Sequence, residues 1–407
     1  MSQTDTSIRF DWIYSLRLAF LYGLAKLTFI HSVLPKKLTE QLPTGWNNKM
    51  FWTAFSSGGK SLYYDYYCKL KQPQNYRPKT AVEPQYQLTE QDIQFFHENG
   101  YLGPFDLISP DEAEGMRQYL IDSVMSTKSS QAQNYQLKKS GYVSQGLLPK
   151  TESSQSDDLR EYKIKRFETS INRHLDDEKL LDLMSHPAVV ERCAQLLGPD
   201  LLLWRSGFFK VDPHGKGTGF HQNSAWLNQN ARDPIINPPR FDELFQLTCW
   251  VALTEAREDN GGMIVVPGTQ KEIYPLKPTK EKTDESGGLM LHGNSYFRDV
   301  DYPIDSAKKV SVKLKPGQFF IFCERVIHGS NDNITDAARW AVNFRFVRPD
   351  TRVFTKKMLE QGHKDTFLNL ENYSLDNWGA VLVRGEDNFG YNRLFKRTSR
   401  PKVEQLR

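Results

Sequence analysis

The order of hydrophobic patterns along this chain predicts an all-β core with flanking helices, built as an antiparallel two-sheet barrel of jelly-roll type. Two observations carry that expectation. Helix signals concentrate before Gly198-Pro199 and strand signals after it, with no regular βαβ spacing. The late segments also alternate apolar and polar side chains, the period of a strand with one face turned to a core.

Residues 1–87 read as a helical, aromatic-rich N-terminal region ending in the Pro- and Gln-containing stretch 72–84. Its apolar run 13–34 contains Arg17 and Lys26, each costing about 2.5–3.5 kcal/mol at the centre of a membrane span, so spanning is disfavoured. A helix packed on the rest of the protein is the favoured expectation, with peripheral membrane contact through 13–34 as the weaker alternative. Tyr63, Tyr64, Tyr66 and Tyr67 are read as packing residues.

A main domain is expected over 88–350. Thr89 and Asp92 form a capping box, Leu88 and Ile93 occupy the staple positions, and Gly100 closes the helix. Ser109-Pro110-Asp111-Glu112 repeats the pattern and predicts a second helix to about Ser126. The Ser-, Gln- and Lys-rich stretch 127–158 reads as a flexible insertion. Helices follow around 176–183 and 187–197. Strands are then expected at 201–211, 245–253, 263–266, 310–314, 319–322 and 339–347. In the last, Trp340, Val342, Phe344 and Phe346 share one face, and Arg339, Ala341, Asn343 and Arg345 the other. Residues 351–407 form a C-terminal extension, and no internal repeat is present.

Composition narrows the function classes. A net charge of +4, with no long basic run, argues against a nucleic-acid partner. Four cysteines, far apart in sequence and without a CxxC pair, suggest neither structural zinc nor a disulfide framework. The opening residues carry no secretory signal pattern, and a reducing cytoplasmic setting is the expectation.

His221 and Asn223 stand two residues apart on an extended segment and therefore share a face. His328 follows the apolar strand 319–322, and Arg339 lies eleven residues beyond it. Two histidines and a short oxygen-bearing side chain at these spacings resemble the 2-His-1-carboxylate layout that holds non-haem Fe(II) and leaves positions open for a chelating co-substrate and O2. The guanidinium of Arg339 suits the far carboxylate of a dicarboxylate co-substrate, although Arg345 shares its face and competes for the role.

Five segments in order carry a family resemblance: Gly219-Phe220-His221-Gln222-Asn223, Cys249-Trp250-Val251-Ala252-Leu253, Asp259-Asn260-Gly261-Gly262, Val265-Val266-Pro267-Gly268-Thr269, and Ile327-His328-Gly329-Ser330 with Arg339. Together they resemble the phytanoyl-CoA dioxygenase family of Fe(II)/2-oxoglutarate-dependent oxygenases over roughly residues 88–350. The resemblance implies a double-stranded β-helix (jelly-roll or cupin-like), His221 and His328 as iron ligands, Asn223 at the carboxylate position, and Arg339 as partner of the 2-oxoglutarate 5-carboxylate. It also implies a second basic contact upstream, for which Lys163 or Lys165 is the candidate. Thr269-Gln270 stands where the family has Ser-His or Thr-His.

Asn223 replaces an anionic ligand by a neutral one and leaves three readings open. Its Oδ1 ligates iron, or a carboxylate such as Asp212, Asp233 or Glu324 substitutes, and the enzyme hydroxylates an aliphatic C–H. Alternatively a halide takes the vacated position and the enzyme halogenates, or the chain is a catalytically impaired ligand-binding protein on the same scaffold. A metal-bound isomerase or hydrolase on the same barrel would need no Arg339. Trp226 and Trp250, with Phe220, would line a pocket for a small apolar, lipid-like or carrier-bound acyl substrate.

Overall fold

The computed structural model describes residues 10–39, 41–63, 65–132, 135–137, 157–223, 234–278, 298–365 and 370–395. The helices that matter below are α1 (Trp12–Lys26), α2 (Asn48–Ser56), α3 (Glu90–Asn99), α4 (Pro110–Tyr119), α5 (Asp157–Ser170), α6 (Glu178–Met184) and α7 (Pro187–Leu197). Both capping boxes form. In α3 the Thr89 hydroxyl accepts from the Asp92 N–H while the Asp92 carboxylate accepts from the Thr89 N–H, and Ser109 and Glu112 do the same for α4. These reciprocal bonds satisfy N–H groups that the first helical turn leaves without partners. Gly100 ends α3 in the left-handed conformation, at φ 84°.

Nine strands carry the core: β1 (Tyr101–Asp106), β2 (Leu201–Val211), β3 (Gln246–Ala252), β4 (Met263–Val266), β5 (Val310–Ser311), β6 (Gln318–Phe322), β7 (Ile327–Ser330), β8 (Arg339–Val347) and β9 (Val381–Arg384). The major sheet has the order β1-β6-β3-β8-β2-β9 and the minor sheet β7-β4-β5, and their strand pairs are antiparallel. The expected strands at 201–211, 263–266 and 339–347 appear with those bounds.

Alternation distributes the side chains between two cores. One face of the major sheet, with Leu247, Cys249, Val251, Phe319, Ile321, Val342, Phe344 and Phe346, packs on α6 and α7 in the largest apolar cluster. The other face turns Trp250, Ala252, Phe320, Phe322 and Ala341 toward Met263 and Val265 of the minor sheet. The observed core is therefore sheet-rich, with two apposed antiparallel sheets and helices on one side. Gly317, at φ 85° before β6, lies so close to Ile108 that a Cβ would sit 2.1 Å from its carbonyl oxygen, which explains the glycine at this turn.

The segments outside the central sheets are placed as follows. The extension after residue 350 is built into the fold: β9 pairs with β2 at the sheet edge, and Trp378 is fully buried and donates to the Trp204 carbonyl. The insertion 127–158 lies mostly outside the described residues, but within it Tyr135–Leu137 pairs with Leu370–Tyr373. Cys193 and Cys249, distant in sequence, bring their sulfurs to 3.4 Å where α7 packs on β3; both are free thiols. The tyrosine cluster is packing, as expected for its described members: Tyr63 is buried beside Tyr67, and Tyr66 stacks on Phe241. Tyr64 lies outside the described residues. No described helix is long and apolar enough to cross a membrane.

Candidate active site

His221 and His328 meet across a two-residue antiparallel bridge. The His221 N–H donates to the His328 carbonyl at 2.9 Å and the reverse bond measures 3.0 Å, so the segment around His221 extends the minor sheet beside β7. Directly opposed residues on antiparallel strands project to one face, and the two imidazole centroids are 4.3 Å apart. Each ring is oriented from behind. His221 Nδ1 lies 2.8 Å from the Gly219 carbonyl and His328 Nδ1 2.8 Å from the Val326 carbonyl. Because a carbonyl only accepts, each Nδ1 carries the proton and each Nε2 keeps its lone pair for a ligand. Burial holds His221 down to about 4 and His328 well below the usual histidine range, Arg345 adding to both, so the rings are neutral at pH 7.

Asn223 completes the edge. Its N–H donates to the Glu324 carbonyl at 2.7 Å, continuing the pairing of the His221 segment with the β7 approach. The residue is 5% exposed, and its Oδ1 is buried without a hydrogen-bond partner among the described residues. An orphaned buried acceptor is costly unless something absent from the polypeptide satisfies it. Among the described residues no group of three His, Cys, Asp or Glu side chains could hold a metal, and the donors at this edge are two imidazoles and an amide oxygen. Two lone-pair nitrogens and one unsatisfied oxygen fit a divalent cation.

The intervening Gln222 points the other way and locks the segment. Its Oε1 accepts from the Tyr274 N–H at 2.8 Å, and its Nε2 donates to the carbonyls of Glu272 and Arg325. Gln270, in the place of the family's histidine, donates to the His97 carbonyl at 2.8 Å and so braces α3.

Arg339 opens β8 on the face turned to the minor sheet. Its Nε and Nη2 donate to the Gly261 carbonyl at 3.0 and 2.7 Å, and its Nη1 donates to the Phe209 carbonyl at 3.1 Å. The guanidinium is 3% exposed and makes no ion pair with an acidic side chain among the described residues. Burial first, and the charge of Arg166 second, push Arg339 down to about 9. A buried cation flanked by a second cation is a place where an anionic ligand gains most. An unbroken run of ring contacts connects Arg339 to His328: the guanidinium lies over Trp250 at 5.2 Å, then follow Trp250 and Phe320, Phe320 and Phe322, and Phe322 and His328.

Arg345 is answered differently. Its Nε lies 2.5 Å from Glu324 Oε1, and both groups are buried. Glu324 also accepts from Gln246 and Thr248. Burial raises Glu324 while Arg345 opposes that shift. Of the two arginines on this face, Arg345 has its carboxylate and Arg339 has none among the described residues.

Several expected site residues fall elsewhere. Trp250 is 2% exposed and supports the Arg339 guanidinium from within the inter-sheet core, so packing rather than a substrate wall is its place. Lys165 is exposed on α5, while Arg166 of the same run lies over the Phe209 ring at 4.2 Å and is the basic residue acting on Arg339. The helical period turned the neighbouring residue inward. The side chain of Lys163, and all of Trp226 and Asp233, lie outside the described residues. Asp212 is exposed and paired with Lys210, and Glu324 is held by three partners, so replacing Asn223 by either would first break existing contacts. Sequence reasoning missed the carbonyl of Gly261 as the anchor of Arg339. Its signal was the Asn-Gly-Gly turn: Gly261 sits at φ 80°, with Val211 3.2 Å from where a Cβ would stand.

Fold and site together bring two histidines with free Nε2 atoms, the buried Oδ1 of Asn223 and a separate buried guanidinium between two antiparallel sheets. The family model described as phytanoyl-CoA dioxygenase matches residues 96–341, and the chain belongs to this family of Fe(II)- and 2-oxoglutarate-dependent oxygenases. The chain is 25% identical over 295 residues to the zebrafish (Danio rerio) phytanoyl-CoA dioxygenase domain-containing protein 1, covering 66% of this chain and 93% of that one. It is also 25% identical to rat (Rattus norvegicus) peroxisomal phytanoyl-CoA dioxygenase, over 67% and 72% of the two chains. The ectoine dioxygenase of Streptomyces anulatus is 25% identical over 61% and 74%. Among solved structures, CytC3 with Fe(II) and alpha-ketoglutarate shares the fold at a TM-score of 0.50 and 22% identity, over 76% of this chain and 93% of that one.

Proposed function

We propose that this protein is a non-haem Fe(II)- and 2-oxoglutarate-dependent dioxygenase that hydroxylates an aliphatic C–H bond of a small apolar or acyl-type substrate. In this reading the two sheets make up a double-stranded β-helix, His221, His328 and Asn223 hold the iron, and Arg339 holds the far carboxylate of 2-oxoglutarate. The observation that carries it is the pair of tied-back histidines beside the unsatisfied Oδ1 of Asn223.

When bound, the iron supplies activation of O2 coupled to oxidative decarboxylation of 2-oxoglutarate. The chain's own residues prepare for it. The carbonyls of Gly219 and Val326 hold both imidazoles in the tautomer with a free Nε2, and burial keeps them unprotonated, so metal entry need displace no proton from either ring. Gln222, bonded to Glu272, Tyr274 and Arg325, fixes the peptide between the first two ligands. Gly261 and Phe209 orient the Arg339 fork by their carbonyls, and Trp250 covers one side of it. The rings of Phe322, Phe320 and Trp250 exclude water between the two ends of the site and suit an apolar environment.

The unsatisfied Oδ1 supports ligation by Asn223 over substitution by Glu324, whose carboxylate is fully engaged. Purified protein reconstituted with Fe(II) is expected to convert 2-oxoglutarate to succinate, and to do so faster with its substrate than alone. Normal 2-oxoglutarate binding with no iron-dependent succinate under any acyl or apolar substrate tried would instead make the chain a ligand-binding protein.

A further inference from the structure

Helix α1 is apolar on two opposite sides. At 100° per residue, Tyr14, Leu18, Leu21, Tyr22 and Ala25 fall on one side and are buried in a separate N-terminal cluster with Leu42, Trp46 and Met50. Trp12, Ile13, Leu16, Phe20 and Leu27 fall on the other and face solvent. The exposed stripe continues past the helix in Phe29 and Val33, and α2, packed against α1, exposes Trp52. Phe20, Ile13, Phe29 and Trp52 are each between 58% and 81% exposed. A helix with apolar side chains all round is ordinarily covered on all sides.

The charges around this stripe indicate what covers it. Residues 11–63 contain six Lys and Arg and two acidic residues, Asp11 and Glu40, a net +4 that equals the charge of the whole chain. Arg17 and Lys26 are exposed on either edge of the stripe, Arg17 donating to Gln41 and Lys26 lying over the Tyr22 ring, and from these edges long basic side chains can exchange such contacts for phosphate. Tryptophan at both helices is the residue type that settles at headgroup depth. At about 22 Å, the helix is too short to span and long enough to lie in the plane of an interface.

We propose that this face docks the protein on an anionic phospholipid surface, with α1 lying in the interfacial plane. The lobe is joined to the site region: Ile273 belongs to its cluster, the Leu62 N–H donates to Leu276, and Arg325 donates to the Cys68 carbonyl. The same 272–274 segment bonds Gln222 between the two ligand positions, so docking would place the lipid phase next to the wall of the site. The inference rests on the N-terminal face alone and does not depend on oxygenase activity.

Flotation of the full-length protein with phosphatidylcholine vesicles, with and without phosphatidylglycerol, tests it. Binding is expected with the anionic vesicles, weakening with salt. Replacing Ile13, Phe20 and Phe29 together by Ser should lower it at least ~10-fold. Arg17→Gln with Lys26→Gln should lower it roughly five-fold per charge at low salt. The Ser variants alter exposed positions, and an unchanged melting temperature would establish that they fold. Absence of binding to anionic vesicles, or binding that the triple Ser variant leaves intact, overturns the proposal. So does a dimer that the triple variant makes monomeric while vesicles capture neither form, because a second copy would then be the cover.

Discussion

Replacing Asn223 by Asp would put a carboxylate where the buried Oδ1 has no partner among the described residues. Without metal the new group is nine-tenths or more enclosed, and burial raises its pKa and destabilises the protein. With a divalent ion about 4 Å or less away, one added negative charge gains upward of ~8 kcal/mol at an effective dielectric of ~20. Desolvation of the carboxylate removes several kcal/mol of that, leaving a net gain on the order of 1.4–3 kcal/mol. Affinity for Fe(II), or for Mn(II) as an oxygen-stable substitute, should therefore rise about 10–100-fold. A second consequence separates ligation from a general field effect. On the proposed ligand set, two neutral histidines and an amide, wild-type affinity should be nearly flat above pH 6.5, whereas the variant must shed a proton and should tighten as pH rises. Anaerobic titration calorimetry at several pH values, with melting of the metal-free forms, measures both. A variant that binds metal within two-fold of wild type, with no added pH dependence, would refute the placement of Asn223 in the metal's coordination sphere.

Four further outcomes follow from the same geometry. Arg339→Gln removes the guanidinium that Gly261 and Phe209 orient and, on the proposed role of Arg339, should weaken 2-oxoglutarate binding by about two orders of magnitude or more through lost charge-assisted bonding to its far carboxylate, while metal affinity stays near wild type; parallel loss of both would mean global damage. Gly261→Ala forces a side chain into a left-handed residue against Val211 and displaces the carbonyl that anchors Arg339, so stability should fall about 1–3 kcal/mol with a raised KM for 2-oxoglutarate. Glu324→Gln leaves Arg345 buried without its counter-ion and should cost about 3–5 kcal/mol in denaturant unfolding; a loss below 1 kcal/mol would contradict the buried pair. Burial depresses His97 and His221 to about 4 and His174 to about 3, with His328 also well below its usual range, so the native metal-free protein keeps them neutral. The unfolded chain takes up their protons first as pH falls through about 6.5. Stability is therefore fully present above that pH and should drop by up to about 1.4 kcal/mol per pH unit per histidine toward pH 4; a flat unfolding profile from pH 7 to 5 would contradict it.

Much of this protein could be read locally. The capping boxes at Thr89 and Ser109 are short-range hydrogen-bond patterns, and they form as written. The period-two alternation in 339–347 was sufficient to put Arg339 and Arg345 on the face away from Phe344 and Phe346. The His221-x-Asn223 spacing placed two donors on one side of an extended segment, because a strand's geometry repeats every second residue.

Other features depend on partners far along the chain, which no local period encodes. Arg339 and Arg345 are equivalent by alternation, and the approach of Glu324 from the turn before β7 distinguishes them: it neutralises Arg345, while Arg339 meets no acid among the described residues. Lys165 and Arg166 are adjacent in sequence, and the packing of α5 on β2 brings Arg166 over the Phe209 ring while Lys165 stays exposed. The C-terminal extension carried no sign of joining the major sheet, and the open edge of β2 recruited it. Sequence by itself determined which side chains can act and which face each takes, since both follow from backbone geometry over a few residues. The tertiary structure decided which charge is neutralised and which acceptor is left over, since those are properties of packing between separate segments, from some twenty to more than a hundred residues apart.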